Sequence, residues 1–306
     1  MIETAKEPPT LPAPIRRKPH TYAWQAWIWL MPALILVLTF FIYPLLNTIW
    51  ISFYNKDSTT FVGLRNYQRI FTNPELLEIL RNNVLWLVLA TLLTVGLGLV
   101  LAVLVDRIKV ESIVKSALFV PMAISFVAAG VIWRFVYAYA PPNRTQIGLL
   151  NGILAVFHIP PQVWLINTTI NNFALIAVYT WMWTGFCVVI LSAALKGIPD
   201  DILEAARIDG AGRFSLFWRI MVPMIQPTIA VVLTTMVISI LKIFDVVYVM
   251  TGGDYHTNVI ALDFYQELFN NNNYGLASAL AVVLLVTIIP VMYINVRRAR
   301  AEEALQ

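Results

Sequence analysis

Few residues of this chain are placed to do chemistry, and those that are keep apart from one another. Its three histidines, His20, His158 and His256, lie far apart in polar segments, and no H-E-x-x-H brings two of them onto one helix face. No glycine-rich phosphate loop of the form G-x-x-x-x-G-K-[ST] is present, because none of the thirteen glycines is followed by lysine. The single cysteine, Cys187, sits inside an apolar run, which leaves no intrachain disulfide and no redox pair. No catalytic residue and no metal site is expected on this chain.

Two stretches remain. In the first, Lys242 and Asp245 stand three residues apart in an apolar run, so a continuous helix would place them on one face. A charge inside a membrane costs about 2.5 to 3.5 kcal/mol and faces a cavity or an opposite charge. Thr235, Ser239 and Lys242 recur at i, i+4, i+7 and add a polar stripe to that face. The competing reading is a structural ion pair near a membrane interface.

The second stretch is Lys196 to Pro223, KGIPDDILEAARIDGAGRFSLFWRIMVP, which holds four basic and four acidic residues between two apolar runs. Pro199 followed by Asp200 and Asp201 suits a helix start, where a missing N–H costs nothing and the dipole favours negative charge. Gly210 is placed to stop that helix in the left-handed conformation. Phe214, Phe217, Trp218 and Met221 then recur at helical spacing as an apolar stripe. Read locally, the segment is helix, turn, helix, and an amphipathic loop lying on the membrane surface has the same pattern.

Glu204-Ala205-Ala206, then Asp209-Gly210-Ala211, then Phe217, Ile220, Pro223 and Pro227 closely resemble the EAA signature of ABC-importer permeases. Val222 stands where that family more often has leucine. The segments FVGLRNYQRIF (Phe61 to Phe71) and LKIFDVVYVMTGG (Leu241 to Gly253) are similar to elements of the maltose-type carbohydrate branch, and the likeness runs over about residues 24–300. Within that branch the chain resembles the larger permease, without that relative's extra spans and large external insertion.

The elements that must position these residues are membrane helices. Hydrophobic residues make up 59% of the 306 and charged ones only 12%, about half the usual share of a soluble domain. The excess is gathered into six runs long enough to cross a bilayer: Trp24–Trp50, Val84–Val105, Ser116–Ala138, Phe173–Leu195, Met224–Met250 and Leu276–Val296. The first run is too long for a signal-peptide core and is expected to stay. Asn73-Pro74 followed by Glu75 and Glu78 reads as a helix start leading into the second. Arg134, near the far end of the third, is expected to snorkel to the interface.

With the amino terminus inside, the loops 106–115 and 196–223 and both tails hold fourteen of the twenty-one Lys and Arg residues, whereas loops 139–171 and 251–275 hold only Arg144. That is the positive-inside bias, to which segment 51–82 is the exception. A cytoplasmic tail 1–20, a permease domain 21–300 with its coupling loop at 196–223, and a cytoplasmic tail 301–306 are expected. The net charge of +4 makes no case for nucleic acid.

The resemblance implies an all-α polytopic fold of the type I importer kind in a bacterial or archaeal cytoplasmic membrane. It implies that Glu204, Ala205, Ala206, Asp209, Gly210, Ala211 and Phe217 form a coupling helix that docks on an ATPase. The small alanines would allow close approach, and Glu204 would meet a basic group of the partner. Glu204 can instead make an i,i+3 pair with Arg207. The partners implied are a homologous second permease, two ATPases, an external sugar-binding protein and membrane lipid. No cofactor belongs to this chain; ATP and Mg belong to the ATPase. Aligned on the signature, the family's cavity residues fall near Trp183, Phe186, Thr235, Ser239 and Lys242, with Asp245 close by. Sugars are bound by such donors alongside aromatic rings, for which the fourth run supplies Tyr179, Trp181, Trp183 and Phe186. The alternative is a secondary transporter driven by an ion gradient, which predicts a relay of intramembrane carboxylates and an inverted repeat. A membrane enzyme would need clustered catalytic groups.

Overall fold

The structure, a computed structural model, describes residues 23–106 and 108–303. The expected tail 1–20 and the end of the expected tail 301–306 lie outside the described residues. The chain divides into two units, Met1–Asn47 and Thr48–Gln306.

In the first unit, α1 (Ala23–Val37) passes through a π-helical turn at Leu38–Ile42 into α2 (Tyr43–Ile51), which crosses the boundary. The widened turn ends just before Pro44, whose missing N–H leaves the preceding turn one bond short. Trp27–Ile51 is a 25-residue apolar helix with none of its side chains buried. Trp29, Phe40 and Phe41 stand fully outward, as lipid-facing residues do.

The second unit opens with α3 (Arg65–Thr72) and α4 (Pro74–Leu85), which meet at Asn73. The Asn73 side-chain oxygen accepts the N–H groups of Glu75 (2.8 Å) and Leu76 (3.3 Å), and Pro74 holds the first helical position, as expected. α4 runs through a π turn at Trp86–Ala90 into α5 (Thr91–Val105), making one apolar helix of 32 residues.

Next come α6 (Glu111–Phe119), a 3-10 turn at Val120–Ala123, α7 (Phe126–Val136), α8 (Leu149–Val156) and α9 (Asn171–Lys196). α10 (Asp200–Ile208) and α11 (Arg213–Leu216) lead through a π turn at Phe217–Met221 into α12 (Val222–Met224) and α13 (Gln226–Leu241). α14 (Asp245–Met250), α15 (Ile260–Tyr265), a π turn at Gln266–Asn270 and α16 (Tyr274–Glu303) complete the unit. Among the described residues there is no strand, only an isolated bridge between Tyr54 and Phe61.

α9 is the axis of the packing. Leu175, Ile176, Tyr179, Leu191 and Cys187 are buried on it, against Trp86, Ala90 and Ala102 of the second span and Met236 and Ile240 of α13. At Gly185 an added Cβ would lie 2.0 Å from the Leu118 carbonyl oxygen, so α9 and α6 meet backbone to backbone. Close approach at small residues is how apolar helices associate where lipid removes the hydrophobic driving force.

Three uninterrupted apolar helices, two bent pairs and the Tyr274–Pro290 stretch of α16 stand where the six spans were expected. Two expectations need correction. The third span is not one helix: Glu111–Ala123 and Phe126–Val136 are bent by 101°. Pro121 cannot continue the hydrogen-bond ladder, Ile124 is extended, and Ser125 caps a new helix by accepting the Ala128 N–H at 3.2 Å.

The fifth span is broken twice. A 73° bend precedes α13 at Ile225, and residues 242–244 separate α13 from α14. Arg134 is exposed and donates to the Val249 carbonyl at 3.4 Å.

Candidate coupling and translocation sites

The segment between the fourth and fifth spans folds as its local signals direct. Pro199 precedes α10, Asp200 and Asp201 fill its first turn, and Arg207 its last, so each charge complements the helix dipole. Gly210 takes φ +83°, which a side chain would strain, while the Gly210 and Ala211 N–H groups return to the carbonyls of Arg207 (3.1 Å) and Ala206 (3.0 Å). The chain then reverses into α11.

α10 has two distinct faces. Leu203 and Ala206 are buried in the main core together with Ile198 and Leu216. Glu204, Ala205, Asp209 and Gly210 are exposed, and Ala211 and Phe217 are half-buried. Ile208 and Phe214 are 79% and 78% exposed, an apolar tip on a charged helix. Asp200, Glu204, Arg207 and Ile208 line a polar cleft of about 620 Å³. Of the two alanines, Ala205 is open to a partner, whereas Ala206 packs against its own chain. Glu204 makes no ion pair with Arg207, and both point outward.

The expected face shared by Lys242 and Asp245 does not exist, because the helix ends between them. Lys242 caps the C-terminal end of α13 (φ −102°, ψ 19°), and Asp245 opens α14. No ion pair joins them. The two residues stand instead at helix ends of opposite polarity: Lys242 at the C-terminal end of α13, Asp245 in the first turn of α14. Broken membrane helices whose ends carry charge are the usual way to place polar backbone at a transport site.

Thr235 and Ser239 remain one turn apart on α13 and are half-buried, with the Thr235 hydroxyl bonded to its own helix at Val231 O (2.9 Å). Trp183 and Phe186 are half-buried on α9, ring centroids 5.6 Å apart. They pack on the same core as Met236, Ile240 and Ile243 of the fifth span.

Sequence reading, which named Tyr179 on the same helix as Trp183, missed that Phe126 and Trp86 gather around them. Phe126, at the start of α7 beyond the bend, has its ring 6.3 Å from Trp183 and 6.4 Å from Tyr179. Tyr179 is 6.1 Å from Trp183 and 6.0 Å from Trp86, an edge-on contact to the second span. Trp86 Nε1, Thr91 Oγ1, Tyr179 Oη and Trp183 Nε1 are buried without a hydrogen-bond partner among the described residues. Leaving such groups unpaired costs about 1 to 3 kcal/mol each. Four on three neighbouring helical segments mark a polar, aromatic face. The bend at Pro121 that brings Phe126 there was the one signal available in the sequence.

Broken apolar helices around an aromatic core, with a charged helix exposed between the fourth and fifth spans, define the membrane subunit of a transporter. Residues 94–301 match the family described as binding-protein-dependent transport system inner membrane component, and the chain belongs to that family. It is a permease subunit of an ABC importer, an inner-membrane component.

The chain is 53% identical over 279 residues, 91% of its length and 100% of the relative's, to the osmoprotective compounds uptake permease protein GgtC of Synechocystis sp.. It is 42% identical over 277 residues, 90% of its length and 82% of the relative's, to the alpha-glucoside transport system permease protein AglF of Rhizobium meliloti. A chain of the bacterial alginate ABC transporter, solved in complex with an alginate pentasaccharide-bound periplasmic protein, shares the fold. The TM-score is 0.76 at 22% identity, covering 91% of this chain and 94% of that one.

Proposed function

We propose that the chain forms one half of the path by which an ABC importer takes up a carbohydrate, a di- or oligosaccharide or a glycoside. An external binding protein delivers the substrate, a homologous second permease supplies the other half, and two ATPases carry the ATP and Mg. Both termini and α10 face the cytoplasm in this reading, in line with the bias of Lys and Arg. The relatives' names support the substrate class, and the unpaired N–H and O–H groups beside the rings of Trp86, Tyr179 and Trp183 suit hydroxyl-rich ligands.

The observation that carries the reading is α10: a short helix pinned on one side by Leu203 and Ala206 and bare on the other at Glu204, Ala205 and Ile208. A partner that grips the bare side moves the pinned side, and with it the ends of α9 and α13. Closure of the two ATPases on ATP thereby draws the α10 helices together and turns the broken spans from inward- to outward-open.

The test is uptake of a labelled α-glucoside by proteoliposomes that contain the full complex, loaded binding protein outside and ATP inside. Uptake that requires both supports the reading. Uptake driven by a proton or sodium gradient without any ATPase contradicts it.

A further inference from the structure

Two ammonium groups, one from each of two helices, converge on one carboxylate oxygen. Glu111 Oε1, at the start of α6, accepts from Lys115 one turn further on and from Lys196 Nζ at 2.6 Å, at the end of α9. Lys115 also donates to Ser192 of α9. The side chains of Glu111 and Lys115 are largely shielded, 16% and 17% exposed, whereas that of Lys196 is 52% exposed. Only Gly197, Ile198 and Pro199 separate Lys196 from α10.

Beside this cluster runs a groove of about 860 Å³, walled by Phe119, Val120, Ala123 and Val189 and lined by the three residues of the cluster and by Lys109. Val189 lies one helical turn beyond Phe186 on α9, which sets the groove on the same helix as the aromatic face around Trp183, between that face and Lys196. The charged lining residues come from the loop before α6 (Lys109), from α6 (Glu111, Lys115) and from the end of α9 (Lys196).

We propose that this groove is the inner exit of the translocation path and that Glu111 and Lys196 form a latch whose closure is set by the coupling helix. The proposal rests on the reading of α10 as that helix. The contacts are arranged so that the latch opens without stranding a charge. Lys115 and Glu111 belong to one helix at i, i+4 and stay together when α9 moves. Lys196 is the partner nearest the moving element and the one already half in water, so it leaves Glu111 neutralised by Lys115 and is itself rehydrated. Were Lys196 the sole partner, opening would leave a shielded carboxylate unpaired, which is strongly unfavourable. Glu111 and Lys196 are positioning residues here: they touch the path's rim and act on hydrolysis through α10.

The test uses the complete complex with its binding protein and reads ATP hydrolysis with and without loaded binding protein, alongside uptake. Lys196→Gln and Glu111→Gln are expected to raise unstimulated hydrolysis about fivefold while lowering the ratio of stimulated to unstimulated rate. The exchanged pair, Glu111→Lys with Lys196→Glu, is expected to bring both back toward wild type, because Glu at 196 then bridges two lysines on α6. A merely structural ion pair would lower expression or melting temperature and leave the ratio unchanged.

Val189→Cys, with the latch intact, tests the groove even if the charge variants do not assemble. A charged, membrane-impermeant maleimide added from the α10 side should label it without nucleotide, and trapping with ATP and vanadate should protect it. Unchanged ratios in both single variants, or no rescue by the exchange, overturn the latch. Labelling by lipid-soluble maleimide alone, or cross-linking of that cysteine to the second permease, overturns the exit. Loss of binding-protein stimulation in the wild-type complex would instead overturn the importer reading, and the latch with it.

Discussion

The Nδ2 amide of Asn82 lies 2.9 Å from the carbonyl oxygens of both His256 and Asn258, tying the helix of the second span to a loop some 174 residues further along the chain. The loop is held in a costly shape. Tyr255 and His256 have φ of +55° and +63°, left-handed values that non-glycine residues rarely adopt. Asn171 and Asn172, at the start of α9, donate to the carbonyls of Tyr255 (2.7 Å) and His256 (3.2 Å), and Glu78 holds the His256 ring at 2.6 Å. Three asparagines from two spans therefore fix the connection between the fifth and sixth spans.

Asn82→Ala removes two hydrogen bonds and leaves acceptors under a strained turn, so it should destabilise the protein by about 2 kcal/mol. A thermal melt in detergent, at fixed protein concentration, reads the shift. A variant that melts with wild type would show that Asn171 and Asn172 hold the loop unaided.

Asp263, on α15 in the same connection, gives a pH signature. Burial, with Glu267 close by, pushes its carboxyl up to about 6; the Asn258 amide, at 3.2 Å from Oδ1, and Arg69 pull the other way, while Glu75 adds to the rise. The folded state thus binds this proton more tightly than the unfolded chain does. Stability from this group is full below about pH 4 and is lost as pH rises through about 6, by about 3 kcal/mol at most. Melting temperatures of wild type should fall over that interval, and those of Asp263→Asn should stay flat across it. A wild-type profile as flat as that of the variant would contradict the assignment.

Tyr179→Phe separates packing from transport. Its hydroxyl is buried and unpartnered, so its removal should leave stability unchanged or raise it by about 1 kcal/mol. If the hydroxyl serves the substrate path, uptake should fall about tenfold at limiting substrate in the same variant, the trade expected of a functional site. Uptake at the wild-type rate would remove Tyr179 from the path.

Much of the coupling segment was legible because its signals are local. Pro199, Asp200, Asp201 and Gly210 act within a turn or two of themselves, and the helix and reversal they predict are the ones found. The break at 120–125 was half legible, through Pro121, but nothing local told a kink from a 101° bend. The break at 242–244 was not legible: Leu241, Lys242, Ile243 and Phe244 contain no helix breaker, and the chain leaves the helix where Lys242 and Asp245 gain opposite helix ends. The asparagine clamp and the Glu111–Lys196 contact join residues 84 to 176 and 85 positions apart, and only the packing of α9 against its neighbours brings them together.

The central claim is that α10 transmits ATP hydrolysis to the path. The direct measurement is hydrolysis by the assembled, reconstituted complex, with and without loaded binding protein, for wild type, Glu204→Lys and Gly210→Pro. Positions 204 and 210 are both exposed, so neither side chain enters the core, and proline cannot adopt the positive φ of the Gly210 turn. Both variants should assemble and lose stimulated hydrolysis and uptake together. Stimulation and uptake at wild-type levels in both would contradict the account.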